Sequence, residues 1–388
     1  MVLPQKDRSL VDGILEALHA SGYDGLGKAI ELVINSAMLL EREQHLKAEP
    51  YERTEHRQSY ANGFKPKTVL SRVGELSLSV PQTRDGFYPA CIEKGIRSER
   101  ALKVALAEMY LQGVSTRKVA KITEELCGFS VTSSQVSRAT QELDEHFSAW
   151  RNRPLGKFIY IFLDARYEKV RDGNRVVDCA VLIAKGVTAE GAREILGISV
   201  ALSEAEVHWR TFLESLANRG LNGLEMIISD SHSGLRAARR SVFPSVPWQR
   251  CQFHLQQNAQ AYVNSKKQRA EAGECIRHIF DAANQAEAER LLRIAVVEYE
   301  QKNPALSKWM EENIPEGFGV FTLPLGRRKK LRTTNPLERQ NREIKRRTRV
   351  VSIFPNVEAC LRLVTGVLIE ISEEWESGRR YMDMSLNE

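Results

Sequence analysis

The sequence predicts an α/β protein whose central β-sheet follows a mainly helical N-terminal region. Between about residues 156 and 254, short runs of apolar and β-branched residues alternate with segments of helical periodicity. On both sides of this stretch, apolar residues recur at spacings of three and four, as on one face of a helix. With 388 residues, of which 42% are hydrophobic, the chain is long enough for two domains and apolar enough to bury a core in each.

Residues 1–150 are predicted to form the N-terminal region. Helical spacing of apolar residues runs from 8 to 48, and strict alternation over about 68–82 predicts a small β-ribbon. The pair Asn62-Gly63 predicts a turn before the ribbon. Three helices are then expected within about 98–148.

The last two of these helices have the pattern of a helix-turn-helix. Ser115 is placed to cap the first of the two helices, and Thr132 with Gln135 forms a T-x-x-Q capping box that opens the second. A short turn containing Gly128 joins them. In a DNA-binding helix-turn-helix the second helix reads the major groove, so Gln135 and Arg138 are predicted DNA contacts. The alternative is an ordinary helical bundle, in which such turns are also common.

Residues 155–388 are predicted to form a second domain built on a sheet. Three strands, beginning near Phe158, are separated by turns at Gly173 and Gly191 and predict an antiparallel meander. A helix, a buried strand at Met226–Ser229, another helix and a short strand at 248–254 follow. This order, interrupted by an all-helical insertion at about 255–320 and completed by further helices, predicts a ribonuclease H-like mixed sheet.

Two aspartates follow strands that are neighbours in this predicted sheet. Asp164 ends the first strand and Asp230 ends the fourth. Adjacent carboxylates repel each other unless a cation lies between them, and hard oxygen ligands suit Mg²⁺ or Mn²⁺. Two such ions can activate the attacking oxygen and stabilise the leaving oxygen in phosphoryl transfer. The structural alternative is that Asp230 caps the helix that follows it.

Glu338 is the leading candidate for a third acid. Asn335 as N-cap would place Glu338 at the third helical position, so a capping-box acid is the structural alternative. Glu343 competes, but its spacing from Arg339 and Arg346 predicts a surface ion pair instead. Weaker rivals, which flank a hairpin turn, are Asp172 and Asp178.

Positive charge is concentrated around this third acid. The segment 327–349 holds eleven Lys or Arg and two Glu, whereas the whole chain has a net charge of only +6, so the remainder is net negative. A local positive field of this kind suits a polyanion such as DNA, although a solvated basic face is the simpler alternative. The predicted DNA contacts in this segment are Arg332, Arg339, Asn341, Lys345, Arg346, Arg347 and Arg349.

The cysteines and the N-terminus predict a soluble cytoplasmic protein. The six cysteines show no CxxC pairing and no disulfide framework. The first residues lack the apolar core of a signal peptide, and no apolar run is long enough to span a bilayer. No membrane partner is therefore expected.

Four motifs occur in an order that resembles the Mutator-type transposases of bacterial insertion sequences. The resemblance covers nearly the full chain and extends through Phe354-Pro-Asn356 to the region from Trp375 to Tyr381. The motifs are Leu163-Asp-Ala-Arg-Tyr-Glu-Lys-Val-Arg171, Ile228-Ser-Asp-Ser-His-Ser-Gly-Leu235, Trp248-Gln-Arg-Cys-Gln-Phe-His254, and the run from Leu331 to Arg349 with its Asn-Pro-Leu-Glu core at residues 335–338.

The resemblance implies an enzyme of DNA transposition. Its carboxylate triad maps onto Asp164, Asp230 and Glu338, which would hold two divalent ions. It implies cleavage at the terminal inverted repeats, followed by attack of the freed 3′-hydroxyl on target DNA. Two element ends must be brought together, so a homodimer or larger assembly is expected, in a bacterial cytoplasm and associated with the nucleoid. The alternatives are a domesticated DNA-binding regulator without cleavage activity, and a nuclease or resolvase that cuts without joining.

The Cys-x-x-His signature of the family maps onto Cys251 and His254, near the catalytic strands. A structural zinc site normally needs four ligands, and no second pair of suitable spacing accompanies these two. Hydrogen bonding or phosphate positioning by His254 beside the metal site is the favoured hypothesis. A packed cysteine with a hydrogen-bonded histidine is the structural alternative.

Overall fold

The computed structural model describes residues 5–376, 378 and 380–384, except for the side chains of 5–7 and 335–339. The chain divides into two compact units, Met1–Leu143 and Asp144–Glu388.

The first half of the N-terminal unit consists of two helices and a hairpin. Helices α1 (Gln5–Ser21) and α2 (Leu26–Leu46) precede an antiparallel pair, β1 (Ala61–Ser71) and β2 (Gly74–Thr83). The apolar residues of β2 alternate, so one face of the hairpin packs on α2 around the fully buried Met38.

The predicted turn at Asn62-Gly63 is wrong. Both residues lie inside β1, where the pairing register shifts between Ala61 and Phe64 and Gly63 has φ +75°. The chain reverses instead between Ser71 and Gly74. A glycine at positive φ serves a β-bulge as well as a turn, so the dipeptide alone does not distinguish the two.

The second half of the unit contains helices α3 (Arg100–Leu111), α4 (Thr116–Cys127) and α5 (Ser133–Gln141). Both predicted caps are confirmed: Ser115 accepts from the backbone N–H of Lys118, and both hydrogen bonds of the Thr132–Gln135 capping box are present. A fourth helix, α6 (Asp144–Arg151), falls within the range in which three were predicted and opens the second unit.

The second unit is built on a five-stranded mixed sheet, which confirms the α/β class. The predicted meander and its two glycine turns are present, and Gly173 and Gly191 both have positive φ. The spatial order is β5-β4-β3-β6-β7, with β6 parallel to β3 and β7 parallel to β6. The strands are β3 (Tyr160–Asp172), β4 (Arg175–Val187), β5 (Arg193–Ala201), β6 (Met226–Ser229) and β7 (Trp248–Arg250).

Helices cover both faces of the sheet, so the central strands are buried on both sides. Helices α7 (Glu206–Asn218) and α8 (Ser233–Val242) pack on one face. Trp209 of α7 and Leu235 of α8 share a hydrophobic cluster with Leu163 of β3. Residues that alternate with these, such as Phe162, face the other side. The C-terminal segment lies there, including Tyr381.

A helical insertion with its own hydrophobic core separates β7 from the last helices. The core forms around Leu255, Ile276, Phe280 and Trp309. The helices of the insertion and those after it are α9 (Gln252–Ala259), α10 (Lys266–Phe280), α11 (Gln285–Lys302), α12 (Pro304–Asn313), α13 (Leu325–Leu331), α14 (Asn335–Val351) and α15 (Val357–Glu376).

Two predicted boundaries near the candidate site are wrong. The strand expected over 248–254 ends at Arg250, and α9 begins at Gln252, which places Cys251 at a strand–helix junction. The N-cap of α14 is Thr334 and not Asn335, so Glu338 is the fourth residue of the helix. In both places several adjacent residues suit a helix start, and tertiary contacts decide between them.

Within the described residues, no helix is both long enough and apolar enough to cross a membrane.

The two glycine turns of the meander predict unequal sensitivity to substitution. Gly173→Ala should cost about 1 kcal/mol of stability, because a side chain is strained at positive φ but meets nothing within 4 Å. Gly191→Ala should cost about 2–4 kcal/mol, because its Cβ would also overlap the carbonyl oxygen of Met382. Urea unfolding of the two variants measures the difference. Equal losses would contradict the close packing of residues 381–384 on this turn.

Candidate active site

Asp164 and Asp230 lie side by side where β6 ends. The prediction that Asp230 ends its strand is confirmed, but the prediction that Asp164 does so is wrong, because β3 continues to Asp172 and Asp164 pairs with Ile183 of β4. Leu163 of β3 pairs with Ser229 of β6 in parallel register. Asp164 directly follows Leu163, and Asp230 directly follows Ser229. Only 8% of the Asp164 surface is exposed. The parallel pairing therefore brings together the two acids that the sequence places 66 residues apart.

Burial and the neighbouring Asp230 charge raise the pKa of Asp164 to about 7. The charge of His254 and the hydrogen bond from Asn341 act in the opposite direction but are smaller. Ionising Asp164 at neutral pH is consequently costly unless a cation compensates the paired charge.

Helix α14 is docked against the same strand by side chains that alternate along β3. Asn341 donates from Nδ2 to Oδ2 of Asp164 over 2.7 Å. Arg166 donates to the backbone carbonyl of Asn341, and Thr348 donates from its hydroxyl to Oε1 of Glu168 over 2.9 Å. Residues 164, 166 and 168 share one face of the strand, so three alternate positions on that face hold one helix.

Two predicted DNA contacts have other partners. Asn341 has its amide nitrogen on Asp164, so it belongs to the carboxylate site. Arg347 is 3% exposed and forms ion pairs with Glu343 at 3.0 Å and Glu370 at 2.6 Å. Sequence could not separate these two residues from the exposed ones, because the face of α14 that meets β3 and α15 depends on the tertiary packing.

The prediction that Glu343 is an ion-pair residue is confirmed. Its carboxylate accepts hydrogen bonds from Arg346 and Arg347, which lower its pKa to about 2. Its charge is therefore already compensated by this chain.

The side chains of Glu338 and Arg339 lie outside the described residues. Their backbone is helical, and position 338 comes four residues after Thr334 and three before Asn341. Positions i, i+4 and i+7 follow one face of an α-helix. Thr334 is hydrogen-bonded to Cys251, and Asn341 is hydrogen-bonded to Asp164.

Cys251 connects three parts of the site. Its N–H donates to the carbonyl of Ser229 over 2.8 Å, next to Asp230. Its sulfur accepts from the backbone N–H of Thr334 at 3.3 Å and from the Thr334 hydroxyl at 3.4 Å. His254 is hydrogen-bonded to the same sulfur, and this bond raises the pKa of His254. Burial alone would raise the pKa of Cys251, but the bonds from His254 and Thr334 lower it.

The chemistry of the donors fits a hard divalent cation better than zinc. Asp164 and Asp230 offer carboxylate oxygens, which are hard ligands. The neutral side-chain amide of Asn341 donates a hydrogen bond to Asp164. Among the side chains that the structure describes, no three His, Cys, Asp or Glu residues form a metal-binding group. Cys251 and His254 thus have no further ligands in this part of the chain for a zinc site.

The remaining basic residues fall into two groups. Lys345, Arg346 and Arg349 of α14 are exposed, and Arg332 is partly exposed and pairs with Asp281 at 2.7 Å. The arginines of α13 instead donate inward: Arg327 to the carbonyl of Met384, and Arg328 to those of Leu323 and Ala283. Part of the basic run therefore stabilises the fold.

The two residues predicted to contact DNA in the N-terminal unit lie on α5. The side-chain oxygen of Gln135 is used by the capping box, where it accepts from Thr132. Arg138 is exposed, and its Nε donates to the carbonyl of Ser134 in the same helix. Both residues border a cavity of about 320 Å³ within the unit.

Thr334, Arg166 and Glu168 are site residues that the sequence reasoning missed. The alternation of charged residues at 164, 166 and 168 within a strand was the available signal for the last two. Nothing local in the sequence marks Thr334, because its partner Cys251 is 83 residues away.

Comparison with known proteins identifies relatives along almost the whole chain. The family model described as Transposase, Mutator family, matches residues 8–378. The chain is 55% identical to the transposase for insertion sequence element IS406 of Burkholderia multivorans, over 95% of this chain and 96% of the relative. It is 43% identical to the transposase for element ISRM5 of Rhizobium meliloti, over 94% and 92%.

Relatives of lower identity also match most of the chain. Identity is 40% with the transposase for element IS256 in transposon Tn4001 of Staphylococcus aureus, over 90% of this chain and 91% of the relative. The family model and these relatives span both compact units. The chain belongs to the Mutator family of transposases.

Proposed function

We propose that this protein cleaves DNA at the terminal inverted repeats of an insertion sequence and transfers the freed strands to target DNA. Asp164, Asp230 and Glu338 would hold Mg²⁺ or Mn²⁺, with two ions as the working hypothesis. The observation that carries the proposal is the pair formed by the buried Asp164 within β3 and the partly exposed Asp230 just after β6, with α14 held against Asp164.

The sheet supports a ribonuclease H-like core. A three-stranded antiparallel meander is followed by two strands parallel to the first, in the order β5-β4-β3-β6-β7. The helical block with its own core lies between β7 and α14. This is the arrangement expected for such a core with an insertion before the last acid.

Bound divalent ions would supply activation of the attacking oxygen and stabilisation of the leaving oxygen. The chain's own contribution is to hold the carboxylates in place before substrate arrives. Asp164 is fixed within a paired strand and by the amide of Asn341. Asp230 follows directly from β6, which is paired on both sides. Rigid placement of this kind avoids reorganisation during the reaction.

The spacing along α14 supports Glu338 as the third acid. It lies between two anchored positions on one helical face, about 6 Å along the axis from Thr334 and about 4.5 Å from Asn341. Glu343 is two residues beyond Asn341, which turns it toward another face, and it is already paired with arginines.

The exposed cations of α14 suit the DNA strand at this site. Lys345, Arg346 and Arg349 follow the acid on the same helix and reach solvent. Contacts from such residues to phosphates fix the position of the strand and carry little sequence information. The N-terminal unit, which contains α4 and α5, would recognise the terminal repeats. A homodimer or larger assembly would bring the two element ends together.

The first test compares Glu338→Gln with the matched variant Glu343→Gln on DNA that carries the element ends. In Mg²⁺, Glu338→Gln should lower nicking and joining at least about 10³-fold, because a metal-holding charge is lost. Binding of the ends should stay within about twofold of wild type, since phosphate contacts dominate affinity. Glu343→Gln should keep activity within about tenfold, because it removes only a partly exposed ion pair.

Normal cutting by Glu338→Gln would refute the assignment of the third acid. Binding of the ends without cutting under any divalent metal, by the wild-type protein, would instead support a DNA-binding regulator. A joining assay with pre-cut ends separates a transposase from a nuclease that only cuts.

The second test measures how DNA affinity depends on salt. Replacing Lys345 and Arg349 together with Ala should lower the slope of log affinity against log salt by about 1–2, because each phosphate contact contributes about 0.9. The control is Lys308→Ala, an exposed lysine in the helical insertion. An unchanged slope in the double variant would remove α14 from the DNA-binding surface.

A further inference from the structure

Three segments of the chain meet at the sulfur of Cys251. The backbone N–H of Cys251 donates to Ser229, the residue before Asp230, over 2.8 Å. Its sulfur accepts both donors of Thr334, at 3.3 and 3.4 Å, and it is also hydrogen-bonded to His254. Cys251 and Thr334 are both fully buried, so these bonds do not compete with water.

Thr334 occupies the N-cap position of α14 but does not cap it. A threonine at this position ordinarily accepts a hydrogen bond from the first turn of its own helix. Here no such bond is present, and the hydroxyl is directed to the sulfur. A backbone hydrogen bond joins the adjacent residues of the same two segments: the N–H of Gln252 donates to the carbonyl of Arg332 over 2.9 Å.

The first half of the helix is consequently held at two places on one face. Thr334 anchors its start to Cys251, and Asn341 anchors the position seven residues later to Asp164. Glu338 falls between these anchors, about one turn from each. Cys251 directly links the end of β6 to the start of α14, because its N–H donates to the carbonyl of Ser229 and its sulfur accepts both donors of Thr334.

We infer that Cys251 and Thr334 form a buried clasp that sets the position of the first turn of α14 relative to Asp230, and thereby positions Glu338. In this arrangement the cysteine acts as a hydrogen-bond acceptor and neither binds metal nor reacts. It is a positioning residue, and the inference rests on the proposed role of Glu338 as the third acid.

The test uses two substitutions at Cys251 and one matched control, all in the full-length protein. Cys251→Ala removes the acceptor, whereas Cys251→Ser keeps one. The control is Cys179→Ala on β4, since Cys179 is as fully buried as Cys251 and is not part of the clasp. Thr334→Val removes only the hydroxyl donor and tests the other side of the contact.

The first readout is amide hydrogen exchange at residues 339–342 in chelator, where neither metal nor DNA contributes. The hydrogen bonds of these amides close the first turn of α14. Cys251→Ala should accelerate their exchange by about tenfold, because both buried hydrogen bonds from Thr334 are lost, and Cys251→Ser by less than about threefold. The same amides in Cys179→Ala should exchange as in wild type.

The second readout is cleavage of pre-bound element ends as a function of Mg²⁺ concentration. Cys251→Ala should lower the cleavage rate about 10- to 100-fold, as expected when a reacting group is displaced by about 1 Å. It should also raise the Mg²⁺ concentration for half-maximal rate several-fold, while Cys251→Ser restores most of both. Adding Thr334→Val to Cys251→Ala should cost little more than Cys251→Ala alone, because the two residues act through one contact.

Two results would overturn the inference in distinguishable ways. Exchange at residues 339–342 that is no faster in Cys251→Ala than in Cys179→Ala would show that no clasp holds the helix, whatever the role of Glu338. Faster exchange with cleavage at the wild-type rate and the wild-type Mg²⁺ requirement would show that the clasp exists but positions no catalytic group. The Glu338→Gln assay then decides separately whether the third-acid assignment stands.

Discussion

The constraint on which this site depends is the close approach of two carboxylates, one of them buried, that two neighbouring parallel strands impose. Pairing of β3 with β6 puts Asp164 beside Asp230, and burial with mutual repulsion raises the pKa of Asp164 to about 7. A fold that optimised stability alone would avoid this pair. Retaining it makes sense if a divalent cation compensates the charge, and the hard oxygen ligands suit that cation.

The surrounding elements hold helix α14 against this pair. Helix α14 arrives after a helical insertion with its own core, so chain connectivity alone does not fix its position. The fixed points are Asn341 on Asp164, Thr348 on Glu168 and Thr334 on Cys251. Some arginines of the basic segment, such as Arg347, form ion pairs inside the fold, whereas others are exposed to solvent.

Much of the fold could be predicted because its signals are local. The glycine turns of the meander, the caps at Ser115 and Thr132, and the position of Asp230 after its strand follow from short patterns. The wrong predictions fall at places where contacts between residues far apart in sequence determine the local structure. The bulge at Asn62-Gly63 depends on pairing with β2, the N-cap of α14 on Cys251, and the burial of Arg347 on Glu370. Residue spacing within α14 cannot reveal partners on other elements.

Thermal unfolding of wild type and Asp164→Asn, in chelator and in Mg²⁺, tests the central claim most directly. Because the folded pKa of Asp164 is raised, its ionisation lowers stability as pH rises through about 7. In chelator at pH 8, Asp164→Asn should be more stable than wild type by about 1–3 kcal/mol, and the difference should shrink toward pH 5. Mg²⁺ should stabilise wild type only. A less stable variant at pH 8, with equal Mg²⁺ shifts for both proteins, would contradict a cation site at this pair.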